Sequence, residues 1–258
     1  VLKTNRNKRY KYFEFFVEGV RNINEAIRNN WRISSFIYSE EAPLSGWAQN
    51  IITSVKTDVN YLLTGSLMSD LSKKEDASEL LAIVKMREDN FSKLSLSRKP
   101  IIALFDRPSN HGNLGTIIRS CDALGIEGLI ITGHAVDLYD PDVISASMGS
   151  FFKVPVIRVP SNEIIFSIIE ELRRKYFQFQ SVGTTAHKEK NIYEIDFSVP
   201  TMVMLGNETD GLCKALVENC DVLGTIPMSN NSSASSLNVG CAATVVFYEI
   251  VRQRLLLL

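Results

Sequence analysis

The fold is decided by the stretch Leu223-Gly-Thr-Ile-Pro-Met-Ser-Asn-Asn-Ser-Ser-Ala-Ser-Ser-Leu-Asn-Val-Gly-Cys-Ala-Ala-Thr-Val-Val-Phe-Tyr-Glu249, in which a short apolar strand leads into a polar loop and then a helix. The Ser and Asn residues between Met228 and Leu237 offer hydroxyls, amides and backbone N–H groups, and Ser235 or Ser236 is well placed to cap the helix. Open α/β sheets bind ligands at the carboxyl ends of their strands. The stretch therefore predicts a polar ligand pocket at a strand end.

Two earlier stretches have the same strand-loop-helix form. They are Leu104-Phe-Asp-Arg-Pro-Ser-Asn-His-Gly-Asn-Leu-Gly-Thr-Ile-Ile-Arg119 and Met202-Val-Met-Leu-Gly-Asn-Glu-Thr-Asp-Gly-Leu212. From Pro100 onward apolar strands alternate with helices, which predicts an α/β fold with a mostly parallel sheet and helices on both faces. The predicted strands are 101–105, 128–132, 154–159, 179–182, 202–205 and 222–226, and the predicted helices lie near 114–124, 161–175, 211–218 and 236–254. Three such loops can converge on one ligand.

The residues before this region predict a small α/β/α domain over residues 1–88. Apolar residues at 16, 20, 23 and 27 have helical spacing and predict a helix across 13–27. A strand is expected at 33–38 and a helix at 43–56. The segments 61–64 and 80–85 are expected to flank a second polar stretch and a further helix. Residues 89–98 are polar and aperiodic, which is typical of a linker. The second domain is therefore expected to span residues 99–258.

The composition bears on whether the chain binds nucleic acid. The 258 residues are 45% hydrophobic with a net charge of −1, which argues against a polybasic protein that wraps nucleic acid but leaves a local basic patch open. Such a patch is found in residues 1–13, where basic residues stand beside aromatic ones: Lys3, Arg6, Lys8, Arg9, Lys11, Tyr10, Tyr12 and Phe13. These residues either meet a phosphate backbone and stack on bases or form a solvated, frayed terminus.

Cysteine and histidine spacing predicts neither a disulfide scaffold nor a zinc site, because the four cysteines lack a C-x-x-C pair and the three histidines are scattered. We therefore expect no metal, and a reducing, cytoplasmic setting. No apolar run reaches the roughly 18 residues of a membrane span. The four leucines at 255–258 are expected to end a helix that packs on its own or a partner subunit. The lack of a G-x-G-x-x-G after a first strand argues against classical Rossmann methyltransferases and dehydrogenases.

Three segments of the chain resemble the SpoU (TrmH-type) RNA 2′-O-ribose methyltransferases, a branch of the knotted SPOUT class. They are Asn113-x-Gly115-x-x-x-Arg119, then Gly206-x-Glu208-x-x-Gly211-Leu212, then Ile226-Pro-Met228 with Ser236-Leu-Asn-Val239, in the order and spacing of that family. The resemblance implies a C-terminal trefoil knot, S-adenosylmethionine as methyl donor, and an RNA acceptor, ribosomal more than transfer RNA. It also implies a homodimer in which both subunits complete each active site.

The first domain is similar to the ribosomal-protein-like substrate-binding domain often attached to these enzymes, and Phe16-Val-Glu-Gly19 fits the opening of that domain. The resemblance implies that it grasps RNA. A domain that serves only stability or dimerisation is the alternative.

The resemblance also assigns roles to individual residues. The catalytic set is Arg119, Asn113, Glu208, Ser236 and Asn238, and the cofactor-binding set is Thr184, Thr185, Leu205, Gly206, Gly211, Ile226, Met228 and Leu237. A guanidinium on a helix can hold the phosphate next to the target ribose in a fork geometry. Family mechanisms also propose Arg119 as general base, yet arginine stays protonated unless it is strongly perturbed.

Each of these residues also has a purely structural interpretation. Arg119 can pair with Asp122 or Glu127 on a helix surface, and Asn113 can serve as a helix N-cap. Glu208 can be favoured at a helix N-terminus by the macrodipole, and Ser236 can cap the last helix. A role for His111 as base is also open. The chain departs from the family where Gly240 replaces a common Ser and where the loop before Ser236 carries extra Asn and Ser residues.

The leading hypothesis is thus an enzyme that methylates ribose 2′-hydroxyls of RNA. A non-catalytic RNA-binding or ribosome-assembly factor that keeps the fold is the alternative from another class. Methylation of a base or of a small molecule is a third possibility.

Overall fold

A computed structural model of the chain describes residues 1–72, 78–187 and 189–256. Its α-helices are α1 (Arg6–Tyr12), α2 (Val20–Arg28), α3 (Gly46–Ser54), α4 (Gly65–Leu71), α5 (His111–Ala123), α6 (Pro141–Ala146), α7 (Asn162–Lys175), α8 (Lys214–Asn219) and α9 (Val239–Leu255). Its strands are β1 (Glu14–Glu18), β2 (Ile33–Tyr38), β3 (Tyr61–Leu62), β4 (Leu80–Lys85), β5 (Ile101–Asp106), β6 (Gly128–Thr132), β7 (Val156–Val159), β8 (Gln180–Thr184), β9 (Lys190–Asn191), β10 (Thr201–Leu205) and β11 (Val222–Thr225). They form two compact units.

The first unit contains Val1–Glu88 together with Asp137–Lys153. Its four-stranded sheet has the order β1-β4-β2-β3, with β4 antiparallel to both of its neighbours and β3 parallel to β2. Aromatic rings tie the later segment to this core. The Phe15 ring lies 4.8 Å from Tyr139 and 5.7 Å from Phe151 between centroids, and the Trp31 indole N–H donates to the Phe152 carbonyl at 2.7 Å. Residues 137–153 therefore complete the core of the first unit.

The helix predicted across residues 13–27 is wrong in its first half. Residues 14–18 form β1, and α2 begins only at Val20, after Gly19 with a φ of 97°. The aromatic and β-branched run Phe15-Phe16-Val17 favours a strand, and its three side chains are all buried. A positive φ at Gly19 breaks the chain between the two elements at little steric cost. The apolar spacing across the break was coincidental.

The second unit contains Asp89–Val136 and the residues from Val154 onward. Its seven strands have the order β7-β6-β5-β10-β8-β11-β9, and every neighbouring pair is parallel. The α/β class and the parallel sheet predicted from the sequence are confirmed. One face is covered by α7 and α8, whose Ile165, Ile169 and Leu216 pack on strand residues such as Leu104 and Met204. On α5 and α9, which pack against each other, Ile117, Ile118, Val246 and Phe247 are buried as well.

The segment predicted as a linker packs on the second unit. Phe91, Leu94 and Leu96 contact the apolar cluster beneath α7, and Asp89 forms an ion pair with Arg158 at 2.6 Å. These apolar residues are too irregularly spaced to show a period. The trefoil knot implied by the family stays a prediction.

Among the described residues, no helix is both long and apolar enough to cross a bilayer. Of the four terminal leucines, Leu255 and Leu256 are exposed at the end of α9. Leu257 and Leu258 lie outside the described residues.

Candidate active site

A cavity of about 790 Å³ opens at the carboxyl ends of three adjacent strands, β10, β8 and β11. These strands are parallel, so the loops that follow them meet at one edge of the sheet. The volume lies within the roughly 300–1,000 Å³ typical of small-molecule sites. The loops after β8, β10 and β11 provide the lining, with the first turn of α9.

All eight residues predicted to bind the cofactor line this cavity: Thr184, Thr185, Leu205, Gly206, Gly211, Ile226, Met228 and Leu237. Ile226, Met228 and Leu237 give it apolar walls, while Thr184 and Thr185 contribute hydroxyls at the end of β8. An amphipathic nucleoside such as the adenosine of S-adenosylmethionine suits a mostly apolar pocket with a few polar groups. That these residues bind the cofactor remains a prediction.

Gly206 lies where two backbone segments of the cavity lining come close together. A Cβ built on Gly206 would lie 2.2 Å from both the Gly211 carbonyl carbon and the Leu212 nitrogen. The approach is fixed by a backbone bridge in which Asn207 N–H donates to the Gly211 carbonyl at 3.2 Å. Gly211 itself has a φ of 68°, a left-handed conformation that favours glycine. Steric constraints thus explain why both glycines of the G-x-E-x-x-G segment are glycine.

Three residues of the predicted catalytic set form one chain of hydrogen bonds. Asn113 Nδ2 donates to Glu208 Oε1 at 2.9 Å, and Asn238 Nδ2 donates to Asn113 Oδ1 at 3.0 Å. The other carboxylate oxygen of Glu208 accepts from Ser109 Oγ at 2.5 Å. This chain connects α5, the loop after β10 and the start of α9, so it fixes the three predicted segments relative to one another.

The helix caps differ from those expected. Asn110, not Asn113, caps α5 and accepts from the Asn113 N–H at 2.9 Å. Asn238, not Ser235 or Ser236, caps α9, and its Oδ1 accepts from the Gly240 and Cys241 N–H groups at 2.9 and 3.3 Å. The cap interpretation of Asn113 is therefore wrong, and its side chain is free to join Glu208 to Asn238.

Glu208 is also not at the start of α8. That helix begins at Lys214 with Cys213 as its N-cap, so the expectation that Gly211 opens the helix is wrong. Burial by itself raises the pKa of the Glu208 carboxyl, but hydrogen bonds from Ser109 and Asn113 outweigh burial and hold the pKa below its ordinary value. At neutral pH Glu208 is thus an ionised hydrogen-bond acceptor and only a weak base.

Asp106 and Arg107, which were not among the predicted site residues, also hold the loop after β10. Asp106 is 1% exposed, and its carboxylate accepts from Thr132 Oγ1 at 2.7 Å and from the Cys213 N–H at 2.8 Å. Arg107 has a φ of 48° and donates to Asp106 and to the Gly211 carbonyl at 3.1 Å. An acidic residue that ends a fully apolar strand was the available signal.

Arg119 lies on the third turn of α5, where it is exposed, and it is not among the residues that line the cavity. Within the described residues it forms no ion pair, and Glu127 instead accepts from the N–H and hydroxyl of Ser97. Pairing with Glu127 is thus not its role. Ser236 is exposed and lines the cavity, whereas His111 begins α5 and does not line it.

The departure at Gly240 has a packing explanation. A Cβ on Gly240 would lie 3.1 Å from Thr116 Cγ2 and 3.2 Å from Asn238 Oδ1. Ser120 and Thr244 share a hydrogen bond of 2.7 Å between the same two helices. Gly240 therefore allows α9 to approach α5 at Thr116 while leaving the Asn238 cap intact.

We expect Glu208→Gln to lower kcat by about 10- to 100-fold, because displacement of reacting groups by about 1 Å can cost 10²-fold. The glutamine side chain cannot accept all the hydrogen bonds that the Glu208 carboxylate accepts. The pKa of Glu208 is lowered, so the stabilisation by its carboxylate is present above the ordinary value of about 4.3 and is lost only as the pH falls through the folded-state pKa. The reduction in kcat should therefore be constant between pH 6 and 9. Steady-state kinetics across this range test it, with Glu218→Gln on α8 as control. A loss confined to part of that range would show instead that Glu208 titrates during catalysis.

Within residues 1–72, 78–187 and 189–256 there is no group of three or more His, Cys, Asp or Glu residues that could hold a metal ion.

Comparison with known proteins identifies relatives of the whole chain. Residues 100–248 match the model of the SpoU rRNA Methylase family, and residues 1–82 match that of the SpoU L30e-like domain. A 23S rRNA (uridine(2479)-2′-O)-methyltransferase of Streptomyces viridochromogenes is 41% identical over 98% of this chain and 88% of its own length. A 23S rRNA (guanosine(2553)-2′-O)-methyltransferase of Bacillus subtilis is 26% identical over 95% of this chain and 91% of its own.

A solved structure extends this similarity to the fold. The SpoU methyltransferase AviRb of Streptomyces viridochromogenes, in complex with the cofactor AdoMet, superposes with a TM-score of 0.93 at 40% identity. The match covers 98% of this chain and 95% of the AviRb chain.

Proposed function

Since the chain belongs to the SpoU rRNA methylase family, we propose that it transfers a methyl group from S-adenosylmethionine to a ribose 2′-hydroxyl of large-subunit ribosomal RNA. The observation that supports this best is the cavity at the ends of β8, β10 and β11, lined by every residue expected to bind the cofactor. Relatives that match nearly the whole chain are named as 23S rRNA 2′-O-methyltransferases.

The bound donor supplies an electrophilic methyl group on a sulfonium, so no metal is needed. The task of the protein is to align the acceptor oxygen with that methyl, and orientation of two reactants can supply about 7–11 kcal/mol of the barrier reduction. In this proposal Leu205, Ile226, Met228 and Leu237 hold the donor. Ser236 and Asn238, which line the cavity and are exposed, face the acceptor ribose.

Arg119 acts on the acceptor side as a phosphate clamp. It is exposed, so an RNA phosphate can reach it, and its guanidinium makes no ion pair within the described residues. Arginine holds phosphate in a bidentate geometry and keeps its proton, which fits a clamp better than a base. The chain Glu208-Asn113-Asn238 holds α5, the helix that carries Arg119, in a fixed position within its own subunit.

The active form is a homodimer in this proposal, as the family implies. The support is an exposed stripe along α9 that includes Cys241, Val245, Tyr248 and Leu255, spaced three, four or seven residues apart. Tyr248 is 58% exposed and Leu255 62%. An apolar helical stripe of this kind is typical of a helix that packs on a partner. Arg119 does not line the cavity of its own chain, so we assign it, as the family implies, to an acceptor bound at the cavity of the twofold mate.

Tyr248→Asp should therefore convert the dimer to a monomer and reduce methylation by at least about 10², since an unpaired charge in an apolar interface is costly. Light scattering gives the mass, to be compared with 28.9 kDa for one chain. Tyr193→Asp is the matched control, because Tyr193 is 55% exposed but does not lie on α9. A wild-type protein that is monomeric and fully active would refute the dimer without affecting the reaction.

The setting that follows from a ribosomal RNA substrate is the cytoplasm. Co-fractionation of the protein with ribosomal precursor particles tests this placement. Recovery outside the compartment that holds those particles would contradict it.

The proposed reaction is tested with purified protein, S-adenosylmethionine carrying a deuterated methyl group, and ribosomal RNA from cells that lack the protein. Mass spectrometry of the nucleosides should find the label on a ribose. Label on a base would show that the chain is a base methyltransferase. RNA binding without any label would favour the non-catalytic RNA-binding or assembly factor.

A further inference from the structure

The first thirteen residues are basic and aromatic, and the structure divides them into an anchor and an exposed face. They contain Lys3, Arg6, Lys8, Arg9 and Lys11 and no acidic residue. Arg9 is the anchor and is only 2% exposed. Its Nε donates to Asp137 at 2.7 Å, and its Nη2 lies 3.1 Å from Asp140, both within the first unit.

The remaining donors of Arg9 are also used. Nη1 donates to the carbonyls of Leu2 and Lys3 at 2.7 and 3.1 Å, and the Tyr10 hydroxyl donates to Asp137 Oδ1 at 2.9 Å. A buried arginine with all its N–H groups satisfied is a structural element and is not available to a phosphate. The interpretation of the terminus as a frayed, solvated end is therefore wrong, and so is the inclusion of Arg9 in a phosphate-binding patch. Helix α1 is instead held in a fixed position.

The rest of α1 and its C-cap residue present rings and ammonium groups to solvent. Tyr12 is 49% exposed and Phe13 40%. Lys8 Nζ and Lys11 Nζ each lie 5.9 Å from the centroid of the Tyr12 ring. Two cations thus lie near one exposed aromatic ring, on a helix that the contacts of Arg9 hold in place.

Phe13 adds a second sign that this face does not serve folding alone. It has a φ of 57°, and its N–H donates to the Arg9 carbonyl as the C-cap of α1. A left-handed C-cap is normally glycine or asparagine, and a bulky residue there is a conformational outlier. The chain nevertheless keeps a large aromatic ring at this position and exposes much of it.

We propose that Lys8, Lys11, Tyr12 and Phe13 form a docking surface for an unpaired segment of the RNA substrate. This inference rests on the proposed function, which requires an RNA acceptor. Bases of unpaired RNA stack on exposed aromatic rings, and lysines beside those rings meet the phosphates. Charge decides the occupant, because the surface is basic while the chain as a whole has a net charge of −1. None of these four residues lines the cavity, so the surface is assigned to the binding of RNA and not to methyl transfer.

Tyr12→Ala is the first test of this surface. It should weaken the binding of 23S ribosomal RNA and raise KM for that RNA by about 10-fold, with kcat and S-adenosylmethionine affinity unchanged, because one stacked base is lost. Tyr12→Phe should behave like the wild type. Tyr61→Ala is the matched control, since Tyr61 is also 49% exposed in the first unit.

The lysines should show a different signature. Lys11→Ala and Lys8→Ala should each reduce the slope of log affinity against log salt concentration by about one, because each lysine releases about one counterion. Lys56→Ala, an exposed lysine elsewhere in the first unit, should leave the slope unchanged. Phe13→Asn, which tolerates a left-handed backbone, should weaken RNA binding without lowering the melting temperature.

The outcomes separate this inference from the reaction itself. If the wild type methylates ribose and the Tyr12 and lysine variants bind RNA with unchanged affinity and salt slope, the docking surface is refuted and the function stands. If the variants are normal on naked RNA but fail on ribosomal particles, the surface contacts protein, and the RNA assignment is wrong. If the wild type methylates no ribose, the proposed function fails first.

Discussion

Arg119→Ala should lower kcat by about 10²–10³-fold while the affinity for S-adenosylmethionine stays within about twofold of wild type. The first figure is typical for the loss of one charged or hydrogen-bonding group that aligns a transition state. The second follows from the structure, because Arg119 is exposed on α5 and does not line the cavity. Single-turnover kinetics and calorimetric titration of the donor measure the two quantities separately.

Two variants sharpen the Arg119 experiment. Arg119→Lys keeps the charge but lacks the planar fork, so it should recover only part of the rate. Leu237→Ala should do the reverse of Arg119→Ala, weakening donor binding, because Leu237 lines the cavity. A collapse of donor affinity in Arg119→Ala would show that the residue is on the cofactor side and that its assignment is wrong.

Gly206→Ala should abolish detectable donor binding and destabilise the second unit. The added methyl would lie 2.2 Å from two backbone atoms, Gly211 C and Leu212 N, and backbone cannot rotate away as a flexible side chain can. Overpacking typically costs about 1–3 kcal/mol and more where relaxation is blocked. Donor titration and thermal unfolding measure the two effects.

Gly46→Ala is the matched control for Gly206→Ala. A Cβ at Gly46 has nothing within 4 Å, and the residue lies in the first turn of α3, where alanine is favoured. Its melting temperature should be equal to or slightly above that of the wild type. Donor affinity retained in Gly206→Ala would mean that the loop after β10 opens easily and that its close approach has no part in the site.

The sheet could be predicted because several of its strands, such as β5, β6 and β10, are rich in apolar residues. The predicted strand at 128–132 agrees with β6 (Gly128–Thr132), and the other five fall within two residues of the observed strands at each end. Helix α6 was not predicted, although Asp140 as N-cap and Pro141 as first helical residue are a signal for its start. Strand β9, which is only two residues long and shows no period, was not predicted either.

The site could be predicted only in part, because its decisive contacts join residues that are far apart in sequence. Ser109 and Glu208 are 99 residues apart, and Asn113 and Asn238 are 125 apart. Spacing along the chain cannot reveal such pairs, so Ser109 was overlooked. Arg9 was misinterpreted for the same reason, since its partner Asp137 follows 128 residues later.

The cap of α9 was predicted wrongly because several residues compete for the same position. Near the start of α9 several Ser and Asn residues are equally able to cap, and propensity does not choose among them. The structure selects Asn238, whose side chain can cap α9 and donate to Asn113 at once. One residue thus joins the helix start to the predicted catalytic set.

The most direct test of ribose methylation is a nucleotide-resolution map of 2′-O-methylation in ribosomal RNA from cells with and without the gene. One 2′-O-methylated nucleotide of the large-subunit RNA should disappear with the gene, return with the wild-type chain, and fail to return with Arg119→Ala. Identical ribose maps with and without the gene, alongside a change in base methylation, would contradict the account.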